Sequence, residues 1–350
     1  MTTLDFGRRM LRLGPATHPL VLLDARAAWL CAGLWTATAL LAVYAVLSGT
    51  SGITTAEGLA ALVGHGDEYT TMVVAEWRAP RVVMAVLLGA CLAISGALFQ
   101  NLTANPLGSP DVIGFQTGSY TGALIVMLLL GGGTTAVITG ALAGGLVTAA
   151  IVFMLASRRG AVRGVRLIIV GIGVSAMLAA VNVWILLTAT VEDAIMASLW
   201  GAGNLSGMSW SPVLPTLTVS SIFLVAAALL ARPMKVTQMG IPFATALGQN
   251  VRAVQIAAIA VGIGLIALST ATVGPVSFIA LAAPQIARRL VRADGLALGT
   301  SAALGALLLL LADVVAQRIS PDSPLPVGIV TVSIGGIYFL WLLISEGRTR

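Results

Sequence analysis

Charged and reactive side chains are scarce in this chain. Of its 350 residues only 9% are Asp, Glu, Lys or Arg, against about 25% in a soluble domain, which excludes a water-soluble globular fold. The two histidines, His18 and His65, both lie outside the apolar stretches, so neither a Ser–His dyad nor an HExxH zinc site can form within them. The one lysine, Lys235, sits in Arg232-Pro233-Met234-Lys235-Val236-Thr237 and not in a GxxxxGK[ST] phosphate loop. The two cysteines, Cys31 and Cys91, fall inside apolar runs, with no CxxC and no disulfide framework. These gaps point away from an enzyme and from a resident metal or cofactor. If ATP drives this protein, another subunit binds it.

What the chain has is apolar length. Hydrophobic residues make up 58% of it, and the mean hydropathy is +1.00. A span needs about 20 residues, and apolar runs divided by breakers give about ten: 27–48, 80–101, 111–130, 135–156, 167–189, 211–231, 254–273, 275–287, 297–316 and 327–345. The first begins after an arginine-containing tail, residues 1–26, and reads as a span and not as a cleaved signal peptide. With the N-terminus in the cytoplasm and strict alternation, only Arg78, Arg81 and Arg318 of the 19 basic residues fall outside. Such a positive-inside bias supports an even count with both termini cytoplasmic. It also accounts for the pI near 10.1 without nucleic acid. The fold class is therefore all-α, a polytopic membrane domain over 27–350, with a long external loop at 49–79 and a cytoplasmic segment at 232–253. Small residues such as Gly140, Gly144 and Thr148 allow close helix packing in lipid.

Four features stand apart from simple spans. Arg78 and Arg81, one turn apart on the side where basic residues are rare, suit clamping of a partner's carboxylates or interfacial snorkelling. The polar turn from Gln100 to Gly114, with Asn105-Pro106 and Ser109-Pro110, sits at the cytoplasmic face and can cap a pathway or merely turn the chain. Met239 to Arg252 suits two short helices, one started by Pro242 and ended by Gly248, the next beginning near Gln249 or Asn250. That rod fits a partner's groove or lies on lipid. Asp313, in the ninth span, is a candidate proton relay, or it snorkels, or it pairs with Arg318 about one turn later.

Arg78-Ala79-Pro80-Arg81, Ser95-Gly96 through Gln100, and Asn105 to Asp111 form an ordered set. Gly274-Pro275-Val276-Ser277-Phe278 through Arg289, Ala312-Asp313 and Leu325-Pro326-Val327-Gly328-Ile329-Val330-Thr331 extend it. From about residue 30 to the C-terminus the chain resembles the FecCD family of permeases in type II ABC importers, which take up ferric siderophores, haem and cobalamin. Thr71 to Arg78 and Ser333 to Tyr338 carry a narrower likeness to its ferric enterobactin branch. The resemblance implies the type II ABC importer permease fold in a bacterial cytoplasmic membrane. It also implies partners: a sister permease, two copies of an ABC ATPase that hold ATP and magnesium, and an extracytoplasmic siderophore-binding protein. Arg78 and Arg81 match docking positions for that protein, and Arg318, one place after a third such position, is the remaining docking candidate. Pro242, Ala244, Leu247, Gly248, Val251 and Arg252 match the ATPase-coupling helices, and Asn105, Leu107, Gly164 and Val165 match cytoplasmic gates. The fifth and tenth helices would line the route.

The chain departs from the family pattern at three places. Gln285 stands where many members have histidine, Gln317 where some have a docking arginine, and Pro324 where an acid often precedes Leu-Pro. The implied cargo is a ferric siderophore, a catecholate by the narrower likeness, with hydroxamate, haem or cobalamin as alternatives. A rival of another class is an ion-coupled secondary carrier working through Asp313.

Overall fold

The computed structural model describes residues 10–13, 21–49, 52–111, 113–158, 161–162, 164–292, 295–320 and 325–347. Of the residues singled out above, His18 and Pro324 lie outside the described residues, while every candidate docking, coupling and gate residue and Asp313 lie among them. The described chain is helical apart from two short hairpins, Met10–Leu13 with Val21–Asp24 and Ser157–Arg158 with Ala161–Val162.

In order the helices are α1 Ala25–Leu47, α2 Thr55–Leu62, α3 Glu68–Thr71, α4 Ala79–Leu102, α5 Phe115–Leu124, α6 Thr134–Ala156 and α7 Gly164–Thr188. There follow α8 Val191–Gly201, α9 Val213–Gln238, α10 Ile241–Ala246, α11 Val251–Val273, α12 Ile279–Val291, α13 Leu298–Ile319 and α14 Val327–Gly347. Helices occupy all the stretches read as spans, but unequally. Among the described residues seven are long and apolar enough to cross a membrane, while Phe115–Leu129 and Val327–Tyr338 are shorter apolar helices. The eighth stretch yields only the 13 residues of α12. Part of 275–287 is not helical at all: irregular backbone joins α11 to α12, entered at Gly274 (φ 79°) and turned into α12 at Phe278 (φ 70°).

The organising element is α4. It is apolar on every side, the pattern of a helix buried all round, and 83% of its apolar window is buried. Neighbours approach it backbone to backbone. A Cβ on Gly89 would overlap Gly305 of α13, and one on Gly96 would overlap the Ala280 carbonyl of α12. Ser95 Oγ donates to the Gly262 carbonyl of α11 at 2.6 Å, which satisfies a hydroxyl that lipid or packed carbon cannot. The small face expected on α6 does the same against α5: Gly144 and Thr148 meet Gly118, and Gly140 meets Gly122. At the other extreme α7 exposes Ile169, Met177, Trp184 and Leu187, so its apolar surface faces something other than this chain.

The entrance to α4 carries a π-helical turn, Met72–Arg78, in which the Ala79 N–H reaches the Val74 carbonyl. Pro80 explains it. In that i→i−5 pattern the Ala75 carbonyl would take the N–H of residue 80, and proline has none. The orphan is served instead by Trp210, whose Nε1–H donates to Ala75 O at 2.8 Å. The external loop before α9 is thereby tied to the outer end of α4.

Because the Ala280 carbonyl cannot retreat, Gly96→Ala should cost about 1–3 kcal/mol through overpacking. Gly33→Ala, mid-helix in α1 with nothing within 4 Å of the added carbon, should instead be neutral or stabilise by up to about 1 kcal/mol. Thermal unfolding in detergent, followed by thiol-probe labelling of the buried Cys91 in a Cys31→Ser background, measures both.

Candidate functional site

The Arg81 end. Asp313 is completely buried, so it does not snorkel. Its partner is Arg81, not Arg318. Arg81 Nε lies 3.0 Å from both carboxylate oxygens, and Nη2 lies 2.7 Å from Oδ1. This is a bidentate fork, the strong geometry for such a pair, with only 13% of the Arg81 side chain exposed. Gln317 Nε2 completes the shell at 2.9 Å from Oδ2. Helix geometry decides the pairing. Residue 317 is i+4 from Asp313 and sits on the same face, whereas residue 318 is turned about 140° away.

Arg318 accordingly points to α1. Its Nη2 donates to Tyr44 Oη at 2.7 Å and Ser48 Oγ at 3.2 Å, and its guanidinium stands 5.5 Å from the Tyr44 ring centre, within cation–π range. Arg78 approaches the same helix end, donating from Nη1 to the carbonyls of Val46 at 3.2 Å and Leu47 at 3.4 Å. Two cations therefore bracket the C-terminus of α1, where the helix dipole is negative. Of the three outer arginines, Arg318 is exposed, Arg78 half-buried and Arg81 sealed in an ion pair.

The external loop carries its own titrating contact. Thr54 and Glu57 form a reciprocal capping box at the start of α2. The Thr54 backbone N–H, and then its hydroxyl, hold the Glu57 carboxyl below its ordinary range.

The α10 end. The segment after α9 folds as one short helix, α10, and the second short helix expected there is instead the first turn of α11. Gly240 and Gly248, at φ of 115° and 80°, supply the left-handed bends at either end of α10, where other side chains would be strained. Gln249 Nε2 bonds the Pro233 carbonyl at 2.9 Å and Thr237 Oγ1 at 3.0 Å, which straps the segment to α9. Asn250 caps α11 through the Ala253 N–H at 3.0 Å. Ala244 is buried, while Ile241, Phe243 and Leu247 are exposed and Arg252 is exposed beside them. The result is a rigid rod with an unpartnered apolar edge.

Asn105 makes an Asx turn, accepting the Leu107 N–H at 2.9 Å, and Leu107 is exposed. Gly164 opens α7 and Val165 beside it is exposed. The turn around Asn105 is not free. Gln285 Nε2 donates to the Pro106 carbonyl, Gln100 Nε2 donates to the Leu281 carbonyl at 2.9 Å, and Arg288 Nη2 donates to Gln100 Oε1 at 2.8 Å. Sequence reasoning noted Gln285 only as a departure and missed this cluster. Uncharged amides among apolar spans were the available signal, because a buried amide needs a partner.

Removing one member of the outer pair should be costly. Asp313→Ala leaves a buried guanidinium without its anion, a loss of about 3–5 kcal/mol, whereas Arg81→Met with Asp313→Leu should recover most of it; thiol-probe melting compares the three proteins. Glu57 contributes in the opposite sense to a basic group. Its lowered pKa stabilises the α2 start above the ordinary carboxylate range, and that contribution disappears as pH falls through the lowered value. Amide exchange at the Glu57 N–H should therefore accelerate, relative to intrinsic rates, on acidification.

A model described as the FecCD transport family matches residues 37–345. The chain is 46% identical over 320 residues to the ferric enterobactin transport system permease protein FepG of Escherichia coli, covering 91% of this chain and 97% of that protein. It is 32% identical to the iron(3+)-hydroxamate import system permease protein FhuG of Bacillus subtilis, over 81% and 86%. To the hemin transport system permease protein HmuU of Yersinia pestis it is 35% identical, over 78% and 83%. A solved structure described as an inward-facing conformation of a metal-chelate type ABC transporter superposes with a TM-score of 0.79 at 24% identity, over 91% of this chain and 99% of that one. At that identity the likeness is one of fold. With its multi-pass helical architecture, the chain belongs to the FecCD transport family.

Proposed function

We propose that this chain is the permease subunit of an ATP-binding-cassette importer that carries a ferric siderophore across the bacterial cytoplasmic membrane. One observation carries the cargo class: 46% identity, over 97% of its length, to a permease named for ferric enterobactin. The relatives named for hydroxamate and hemin stand at 32% and 35%, which favours a catecholate.

The proposed mechanism assigns little chemistry to the chain. Iron travels inside its chelator as cargo, so this protein provides a path and a hinge. A loaded binding protein presents carboxylates to Arg78 and Arg318, which rest on weak polar acceptors at the end of α1 and can exchange them for a formal anion. Arg81 is assigned a bracing role through Asp313 in place of direct docking. ATP and magnesium are bound by two copies of a separate ATPase, which grips the apolar edge of α10 through Ile241, Phe243 and Leu247, with Pro242, Ala244, Gly248, Val251 and Arg252 shaping that rod. Its movement switches the gates at Asn105 and Leu107 and at Gly164 and Val165 between two states. A sister permease covers the exposed face of α7 and α14, both termini lie in the cytoplasm, and the route runs between the two permeases. An ion-coupled carrier working through Asp313 is disfavoured because both carboxylate oxygens already face Arg81.

In cells lacking the gene, uptake of labelled iron presented as a catecholate chelate should fall, with hydroxamate-iron and cobalamin uptake unchanged. The intact gene should restore it. Leu247→Glu, which places a charge in the apolar docking edge, should leave uptake down by more than about tenfold, the equivalent of about 1.4 kcal/mol. Loss of cobalamin uptake alone would move the chain to a different cargo, and full rescue by Leu247→Glu would remove the ATPase coupling.

A further inference from the structure

One set of hydrogen bonds joins the same two parts of the chain. Every side chain in it belongs to two stretches far apart in sequence, the polar turn running from Gln100 to Gln116 and the segment from Val276 to Arg288. Gln116 Nε2 donates to the Val276 carbonyl at 2.8 Å, and Ser277 Oγ returns a bond to Gln116 Oε1 at 3.3 Å. The Phe278 N–H donates to Asp111 Oδ2 at 3.2 Å. Gln100 reaches the Leu281 carbonyl, Gln285 reaches the Pro106 carbonyl, and Arg288 reaches Gln100. Gln100, Gln116 and Gln285 are all buried.

The physical cause lies in the broken helix. Gly274 to Phe278 is non-helical backbone set among packed helices: the Gly274 N–H still closes α11 on the Thr270 carbonyl and the Phe278 carbonyl opens α12, but the Val276 carbonyl and the Phe278 N–H lie outside both helical ladders. Non-helical backbone at membrane depth persists only where protein satisfies it. Here Asp111 and Gln116 supply the acceptor and the donor. The dependence is mutual, because the turn around Pro106 is itself held by Gln285. Each stretch satisfies groups that the other would leave buried and unpaired, at a cost that discourages separation. On its other side the turn borders open space. A polar cavity of about 390 Å³ separates Gln100, Asn105 and Pro106 from Thr237, Gln238 and Ile241 at the α9–α10 junction.

We infer that the described residues of the turn between Gln100 and Gln116, the non-helical Gly274–Phe278 segment and α12 form one rigid gating block, and that this block moves against α10 across the polar cavity. The inference rests on the importer reading and deepens it. Gln100, Asp111, Gln116, Gln285 and Arg288 are positioning residues: they fix where Asn105 and Leu107 stand relative to α12 and need not touch cargo. The gate is then moved as a body, and α12, which has no assigned role in docking or coupling, becomes part of it.

The test uses the full transporter, assembled with its partner subunits in lipid, with Cys31 and Cys91 replaced by serine. Spin labels at Ala104→Cys and Leu290→Cys report within the block, and labels at Ala104→Cys and Met239→Cys report across the cavity; all three positions are exposed and none is assigned to docking, coupling or the gate. On trapping with ATP and vanadate the first distance should stay constant while the second shifts by at least about 2 Å, the scale of switching helix movements. A change in the first distance overturns the block. A constant second distance while the ATPase turns over overturns movement across the cavity. A second readout separates positioning from simple stability. Gln285→Leu should lower cargo moved per ATP hydrolysed by at least about fivefold with unchanged amounts of assembled complex, and Gln285→His, which keeps an N–H donor, should restore coupling. Equal loss in both variants, or loss of assembled complex alone, counts against positioning. Nucleotide-dependent uptake of a ferric catecholate by the serine-substituted parent is scored separately; its absence defeats the importer reading, whatever the label distances do.

Discussion

The contact between α4 and α13 is the constraint on which the rest of the molecule depends. Its two parts have different physics. Near the middle, Gly89 and Gly305 let the backbones touch, leaving no room for a methyl group. Near the outer end, the Arg81–Asp313 fork bridges the same two helices. Close approach of apolar helices in lipid draws on packing and not on the hydrophobic effect, and it is indifferent to small rotations or slides. A buried, bidentate ion pair is not indifferent: it has one register. The glycines set how near the helices lie, and the ion pair sets where along one another they stop.

Once α4 is fixed, both candidate surfaces inherit their positions from it. Its outer end carries Arg78 and Arg81 through a turn that Pro80 widens and Trp210 stitches to the loop before α9. Its inner end carries Gln100 and the turn beyond it, bound to α12. A single buried helix thus connects the face that would meet a binding protein with the face that would meet an ATPase. The exposed elements are those expected to work against partners: α10 with its apolar edge, and α7 with its uncovered apolar side chains.

Buried polar groups in this protein serve geometry. Asp313 invites comparison with proton relays, yet it is held by Arg81 and Gln317 and has no exposed surface. The glutamines do comparable service at the inner end, where a broken helix would otherwise strand backbone groups. In both places a polar side chain is retained where an apolar one would pack, and in both it specifies one arrangement of two segments distant in sequence.

The amino-acid sequence by itself determined the class and its outline. A 9% charge content, apolar runs at membrane length and the inward bias of arginine follow from the cost of burying charge in lipid, a local property that can be read residue by residue. Glycine and proline likewise marked α10 and the breaks around α12, because backbone sterics are local. Partnership was not legible. Arg81 and Asp313 are 232 positions apart, and nothing in the spacing of either tells which arginine the acid will face; Arg318, nearer in sequence, is on the wrong side of its helix. Gln285 and Pro106, or Asp111 and Phe278, are joined only when α12 folds back beside the end of α4. Such pairings depend on helix rotation and depth, which packing of the whole bundle sets, and so only the tertiary structure decided them.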